Sequence, residues 1–399
     1  MKDSLKSSLD SINWDFENRY IADKDTVFPF NNRKVYSYPG TFVPEIPFSL
    51  IEILSQNGAV VLDPFGGIGT TFVQALIQGR IPISIDNNPI AGKVCRDFFS
   101  LFDPEVDLDD IKDSIIEDIS DYDEKRNYIN EISNERFDGW YEKATYNEIS
   151  YLILCYDSYA SENSTNEALY HLCLSNILTS LSSQNGGWAY FADNVKPKES
   201  AMKRKDAIAT FKKGLDTITK EINAVKTLAL DCIETVYNNN KIDVVDGDFL
   251  AWESEDFIGN IDLVITSPPY PRMIDYIKSQ RLSFYLNEVD FQQILPHEIG
   301  ARYRRNQKNT LEEYLNDMKK VNRKIYSLMK KGAYFCYILP LLKDDDDRKG
   351  CIDKVISDCK EIGLENIMEI ERRIPGTRRS NNIKWAKLKK EQIVIFKKD

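Results

Sequence analysis

The stretch AVVLDPFGGIGTT, Ala59 to Thr71, decides the reading of this chain. Ala59 to Leu62 reads as a short buried strand. It breaks at Asp63-Pro64, because proline has no backbone donor and pushes its predecessor out of helical geometry. Gly66, Gly67 and Gly69 then supply a turn with room for close backbone approach, and TFVQALIQ follows as a helix. That is a βα unit. A second apolar run, IPISID, ends on Asp86 and passes through Asn87-Asn88-Pro89 into another helical start. Two successive short strands, each ending in a carboxylate, predict a doubly wound α/β sheet with a ligand at its carboxyl edge.

Strand-like runs return much later, at KIDVVDGDF, IDLVITSPPY, GAYFCYILPLL, NIMEIERRIPG and EQIVIFKKD. With the first two they make a seven-strand sheet, two strands before a long interruption and five after it. The interruption, residues 101–236, is amphipathic and mostly helical, and reads as an insertion that is a candidate target-recognition domain. Residues 1–100 then hold the first part of the α/β domain and 237–399 the second. Inside the insertion, Ser182 to Phe191 brings polar residues and glycines up against Trp188, Tyr190 and Phe191. The stretch reads either as a hairpin whose aromatics pack or as a loop that touches a base.

The glycine turn alone is weak evidence of a ligand. It lacks the Lys-Ser/Thr of a phosphate-binding loop, and Phe72 stands where a dinucleotide fingerprint has its third glycine. Ser267-Pro268-Pro269-Tyr270 sharpens the reading, because it directly follows a buried strand and falls at the same sheet edge. Two prolines stiffen the turn and remove two donors, leaving carbonyl oxygens which, with the Ser267 hydroxyl, accept hydrogen bonds from an exocyclic amine. The Tyr270 ring offers a surface for a planar base, although a Pro-Pro turn with its tyrosine in the core has the same pattern. Asp63 reads either as the partner of a ligand's ammonium, which we favour, or as the cap of the following helix.

The pair DPFGGIGTT and TSPPY resembles the amino-group DNA methyltransferases, which use S-adenosylmethionine to methylate N4 of cytosine or N6 of adenine. The resemblance implies a class I Rossmann-like methyltransferase fold and an enzyme that acts on a base flipped out of double-stranded DNA, in restriction-modification or another defence system, with a cognate restriction endonuclease or defence-system subunit as partner. It implies that S-adenosylmethionine is held by Asp63, Phe65, Gly66, Gly67, Gly69, Thr70 and Thr71, and by Tyr38, Thr41 and Phe42 of the upstream stretch YPGTFVPEIP. Asp86 matches the acid that binds the ribose, with Asn87 beside it, and Asp248 matches a polar residue near the adenine. Ser267, Pro268, Pro269 and Tyr270 become the catalytic pocket. Serine in the first position of that motif favours cytosine N4 over adenine N6. Methylation at cytosine C5 would instead need an attacking cysteine, which in the C5 enzymes follows a proline, and none of the seven cysteines here does. The resemblance covers roughly residues 30–100 and 240–399.

Two other readings stay open: methylation of RNA or of a protein glutamine, and a non-catalytic subunit that recognises nucleic acid. Scattered cysteines with only two histidines argue against a metal site. No apolar run reaches the roughly 18 residues of a membrane span, and the charged N-terminus is unlike a secretory signal, so the expected location is the cytoplasm.

Charge at first argues against a nucleic-acid partner, since 52 Lys and Arg against 63 Asp and Glu leave a net −11. The sign is local. Asp103 to Glu124 carries eleven acids against Lys112, a net −10, which leaves the rest of the chain near −1. Basic residues gather elsewhere, at Lys203 and Arg204 in the insertion, at Arg272 and Arg281, at Arg302, Arg304 and Arg305, and at Arg372, Arg373, Arg378 and Arg379. Interleaved with aromatics, they have the spacing of phosphate contacts. The acidic segment is expected to face away from DNA.

Overall fold

The computed structural model describes residues 2–16, 27–121, 135–160, 164–183, 196–238, 242–374 and 388–399. Its frame is one seven-strand sheet: β1 Val60–Asp63, β2 Ile81–Asp86, β3 Asp243–Asp246, β4 Ile261–Thr266, β5 Met329–Pro340, β6 Leu364–Arg373 and β7 Lys390–Lys398, in spatial order β3-β2-β1-β4-β5-β7-β6. β1 to β5 pair in parallel, and β7 lies antiparallel between β5 and β6. The sheet is that of a Rossmann-like methyltransferase. Strand order reverses between β1 and β4, which sit side by side with Val61 opposite Leu263. At such a switch point the loops after the two strands part and leave a crevice at their carboxyl ends.

The central strands are buried on both faces, so they read as continuous apolar runs rather than as alternation. Val60 and Leu62 pack toward the helices Thr310–Leu328 and Lys349–Glu361. Val61 packs on the opposite face, against Leu50 and Ile51 of the helix Glu45–Leu54 and Leu9 of the helix Lys2–Asp10.

The segment after β2 holds the helices Pro89–Leu101, Leu108–Asp118, Lys143–Ala160, Thr165–Leu181 and Ala207–Tyr237. Their buried faces join Phe30, Phe72 and Leu282 in a single apolar cluster, so the helical stretch shares its core with the α/β part. The acidic helix Leu108–Asp118, capped by Asp107, packs on Ala207–Tyr237 and Thr165–Leu181.

Two glycines show why the turn after β1 has its composition. A Cβ on Gly66 would lie 1.9 Å from Ser84 Oγ of β2, and the Gly66 N–H donates to Ile85 O at 2.9 Å. Gly69 caps the helix Thr70–Leu76 with φ +76°, and a Cβ there would meet Cys95 Sγ at 2.5 Å. Left-handed backbone costs a non-glycine residue about 1–2 kcal/mol. Gly69→Ala should therefore lose about 1–3 kcal/mol of stability, and a thermal melt of the variant checks this.

Candidate functional site

A cleft opens over the carboxyl ends of β1, β2 and β4 and holds about 820 Å³ of empty space, counted to its open mouth. Four stretches far apart in sequence form its wall: Tyr38 to Phe42, Pro64 to Thr70 without Gly69, Asp86 to Asn88, and Gly247 to Phe249. Ser267 and Pro269 border the same cleft, as do Tyr276, Ile277, Glu298 and Ile299. The upstream motif, the glycine turn, the second-strand acid and the Pro-Pro motif thus meet in one place.

Asp86 organises the floor. Its Oδ2 accepts the N–H of Gly67 at 2.8 Å and its Oδ1 that of Asn88 at 2.9 Å. Burial pushes its carboxyl up to about 6, against the pull of these two donors. Asn88 donates through Nδ2 to Tyr38 Oη at 3.2 Å, which ties the upstream motif to the end of β2. Asn87 donates to the carbonyl of His297 at 3.0 Å and so anchors the loop that carries Glu298. Asp248 is exposed at the rim, and one of its oxygens caps the turn at Leu250.

Several expected site residues do something else. Asp63 is 1% exposed and does not line the cleft. Its Oδ1 accepts from Thr266 Oγ1 at 2.6 Å and from the Phe65 N–H at 3.1 Å, and its Oδ2 accepts from Thr71 Oγ1 at 2.7 Å. The ammonium-facing role expected for it is corrected to an internal latch between β1, β4 and the turn, and Thr71 belongs to that latch. Gly69 turns the chain behind the wall, away from the lining.

The stacking surface expected of Tyr270 also fails to appear. The ring is 9% exposed and absent from the lining, because its hydroxyl is drawn inward toward Ile338 O at 3.4 Å and Glu391 at 3.3 Å. Burial, with Glu391 alongside, raises that hydroxyl well above its ordinary range. The ring after the Pro-Pro motif that does line the cleft is Tyr276, stacked on Tyr38 with centroids 6.2 Å apart and planes at 26°. It stands in the segment after the Pro-Pro motif, but alternation and spacing do not distinguish it from Tyr270. Pro268 is buried and Pro269 reaches the cleft. Ser267 donates through Oγ to Tyr270 Oη at 3.3 Å.

The basic groups separate by burial. Segments 270–276 and 298–304 pair through Arg272 N to Gly300 O at 2.8 Å and Arg302 N to Ile274 O at 3.2 Å, which puts two of the groups on one wall. Arg272 has left-handed backbone, φ 59°, and its guanidinium pairs with Asp347 at 3.0 Å. Arg281 lies over the Phe291 ring, Arg304 packs on Tyr303 and donates to Pro296 O, and Arg305 is exposed. Lys203 is exposed, whereas Arg204 pairs with Glu148. Arg372, read as a phosphate contact, is corrected: it is 2% exposed and paired with Glu391 inside the sheet. Trp188, Arg378 and Arg379 lie outside the described residues.

The cleft has a distinctive charge. Its charged lining, among the described residues, is Asp86, Asp248 and Glu298, with no Lys, Arg or His. Such a wall suits a donor-rich or cationic ligand. Glu298 has no sequence motif around it. Burial pushes its carboxyl up to about 8, although the Tyr276 N–H and Lys278 pull the other way.

A family model described as DNA methylase matches residues 10–93, the part that holds the upstream motif, the glycine turn and Asp86. A search of curated proteins returns no match to the chain. No helix among the described residues is long and apolar enough to cross a membrane.

Proposed function

We propose that this chain, a member of the amino-group DNA methyltransferase family by that match, methylates the exocyclic amine of a base flipped out of duplex DNA, at N4 of cytosine. One observation carries the reading: Ser267 and Pro269 border the same cleft as Gly66, Gly67 and Asp86. A base pocket and a nucleoside pocket that share one opening fit a transfer between two bound groups.

S-adenosylmethionine, when bound, supplies an electrophilic methyl group. The chain's own residues would hold it with Asp86 at the ribose, Asn87 and Asp248 near the adenine, and the Gly66-Gly67 turn with Tyr38, Thr41 and Phe42 around the amino-acid end. The rest of the work is positioning. An exocyclic amine is a poor nucleophile because its lone pair is delocalised into the ring, so the pocket has to draw the N–H protons toward acceptors and aim the nitrogen. Ser267 Oγ and the carbonyl oxygens of the Pro-Pro turn supply acceptors, and the cleft is pre-shaped, so little reorganisation is needed when charge develops. Tyr276 rather than Tyr270 offers the ring for the base to stack on. Flipping is required because a paired amine is inaccessible inside the duplex. Arg272, next to the Pro-Pro turn, and Arg302 and Arg305 on the segment paired with it are the candidate phosphate contacts, and the helical segment 101–236 is the candidate reader of sequence. A restriction-modification or defence setting, with an endonuclease as partner, is part of this reading.

The test is direct. Full-length protein is incubated with S-adenosylmethionine and unmodified duplex DNA, which is then digested and its nucleosides weighed by mass spectrometry. N4-methylcytosine is expected. N6-methyladenine overturns the choice of base, and methyl groups found only in RNA or protein glutamine in parallel incubations overturn the substrate.

A further inference from the structure

Glu298 is 4% exposed and forms part of the cleft wall. Its Oε1 accepts the Tyr276 N–H at 2.7 Å, whereas its Oε2 is buried and has no hydrogen-bond partner. A buried polar atom left without a partner is costly, and native structures leave few of them. The residue that carries it lines the cleft, where a ligand can supply the missing donor. The charged and titratable groups around it are Asp275, Asp86 and Tyr38, with Lys278 opposing. Lys278 is itself placed over the Tyr303 ring, 4.3 Å from its centroid.

We propose that Glu298 is a cofactor-recognition residue: its free oxygen takes a donor from the cationic nucleoside in the cleft and favours that ligand over the neutral one left after methyl transfer. The proposal rests on the cofactor assignment above. S-adenosylmethionine carries one more positive charge than S-adenosylhomocysteine, so an ionised carboxylate in the wall attracts substrate more strongly than product. Binding is then linked to protons. With the carboxyl raised to about 8, Glu298 is mostly protonated at pH 7 in the free protein. A ligand that selects the ionised form must expel that proton, so affinity rises with pH by up to about tenfold per unit and levels off above the raised value. Lowering the pH has the opposite sign.

Calorimetry of the full chain, with both nucleosides, between pH 6 and 9 and in buffers of different ionisation enthalpy, reads affinity and proton release together. The ligand's own α-amino group titrates in part of this range, so the readout is the difference between wild type and Glu298→Gln. The variant is expected to lose close to one released proton at pH 7, to flatten the pH slope, and to lower the preference for S-adenosylmethionine over S-adenosylhomocysteine about tenfold. Unchanged release and preference in a folded variant overturn the role of Glu298 and leave the cofactor assignment standing. A wild-type protein that binds neither nucleoside overturns both. If Glu298→Gln does not melt cooperatively, Glu298→Asp decides: it should still release the proton and bind about tenfold more weakly, and wild-type affinity in that variant overturns the proposal.

Discussion

Ser267→Ala should slow methyl transfer about a hundredfold or more and leave the affinity for S-adenosylmethionine within about twofold. The rate estimate follows from removing one preorganised partner of a developing charge, which costs about 10²–10³ in comparable sites. The affinity estimate follows from place: Ser267 directly follows β4, whereas Asp86 ends β2 and the Gly67 N–H lies in the turn after β1, across the switch point. The substitution also leaves the Tyr270 hydroxyl two other contacts, Ile338 O and Glu391, so the turn should keep its shape. Tyr270→Phe and Tyr276→Ala complete the comparison. The first removes a hydroxyl that points into the sheet, and transfer should stay within about tenfold of wild type. The second removes the ring at the cleft, and base stacking worth about 1–3 kcal/mol translates into a loss of about 5- to 150-fold in kcat/KM. Single-turnover transfer and calorimetric cofactor binding separate these outcomes. A Ser267→Ala enzyme at wild-type rate would remove the acceptor role.

The contrast between the two tyrosines shows what the sequence made legible. Buried parallel strands announce themselves, because a strand covered on both faces is an unbroken apolar run. For this reason IPISID coincides with β2 from end to end; β3 and β6, which are only partly covered, still fall on the runs KIDVVDGDF and NIMEIERRIPG. The glycine turn was equally readable, since Gly66 is demanded by the approach of Ser84. The direction of a side chain at the end of a strand is a different matter. Tyr270 turns inward because Glu391 and Arg372, more than a hundred residues later, supply a buried polar partner network that no local pattern encodes. Glu298 was invisible for the related reason that its loop is placed by Asn87 and Tyr276, contacts made across the fold. The basic clusters were found as clusters, but burial sorted them: a guanidinium inside a sheet and one at a surface look identical in composition.

Asp63 is where the two readings diverge most, and its substitution should show the second large effect. Asp63→Ala strands the Thr266 and Thr71 hydroxyls and the Phe65 N–H, at about 1–3 kcal/mol for each donor left unsatisfied. Relief from burying a carboxylate offsets part of this, and hydroxyls can rotate toward other acceptors, so a net loss of about 3 kcal/mol is expected. Because the latch holds the glycine turn to β4, cofactor affinity should fall along with stability. Asp63→Asn separates charge from shape. Burial raises the Asp63 carboxyl to about 6 from its ordinary 3.8, the three donors notwithstanding. The folded chain therefore holds this proton more tightly than the unfolded one, and the wild type gains stability from Asp63 as pH falls through 6, a contribution lost again as pH rises. Asparagine has no such proton, so the melting-temperature difference between wild type and Asp63→Asn should move in favour of the wild type between pH 7 and pH 5. The raised carboxyl of Asp86 is present in both proteins and drops out of that difference. A direct contact between Asp63 and a ligand's ammonium predicts the reverse pattern: cofactor affinity would collapse in Asp63→Asn at constant melting temperature. Melting curves and calorimetric titrations on the same preparations tell an internal latch from a ligand contact.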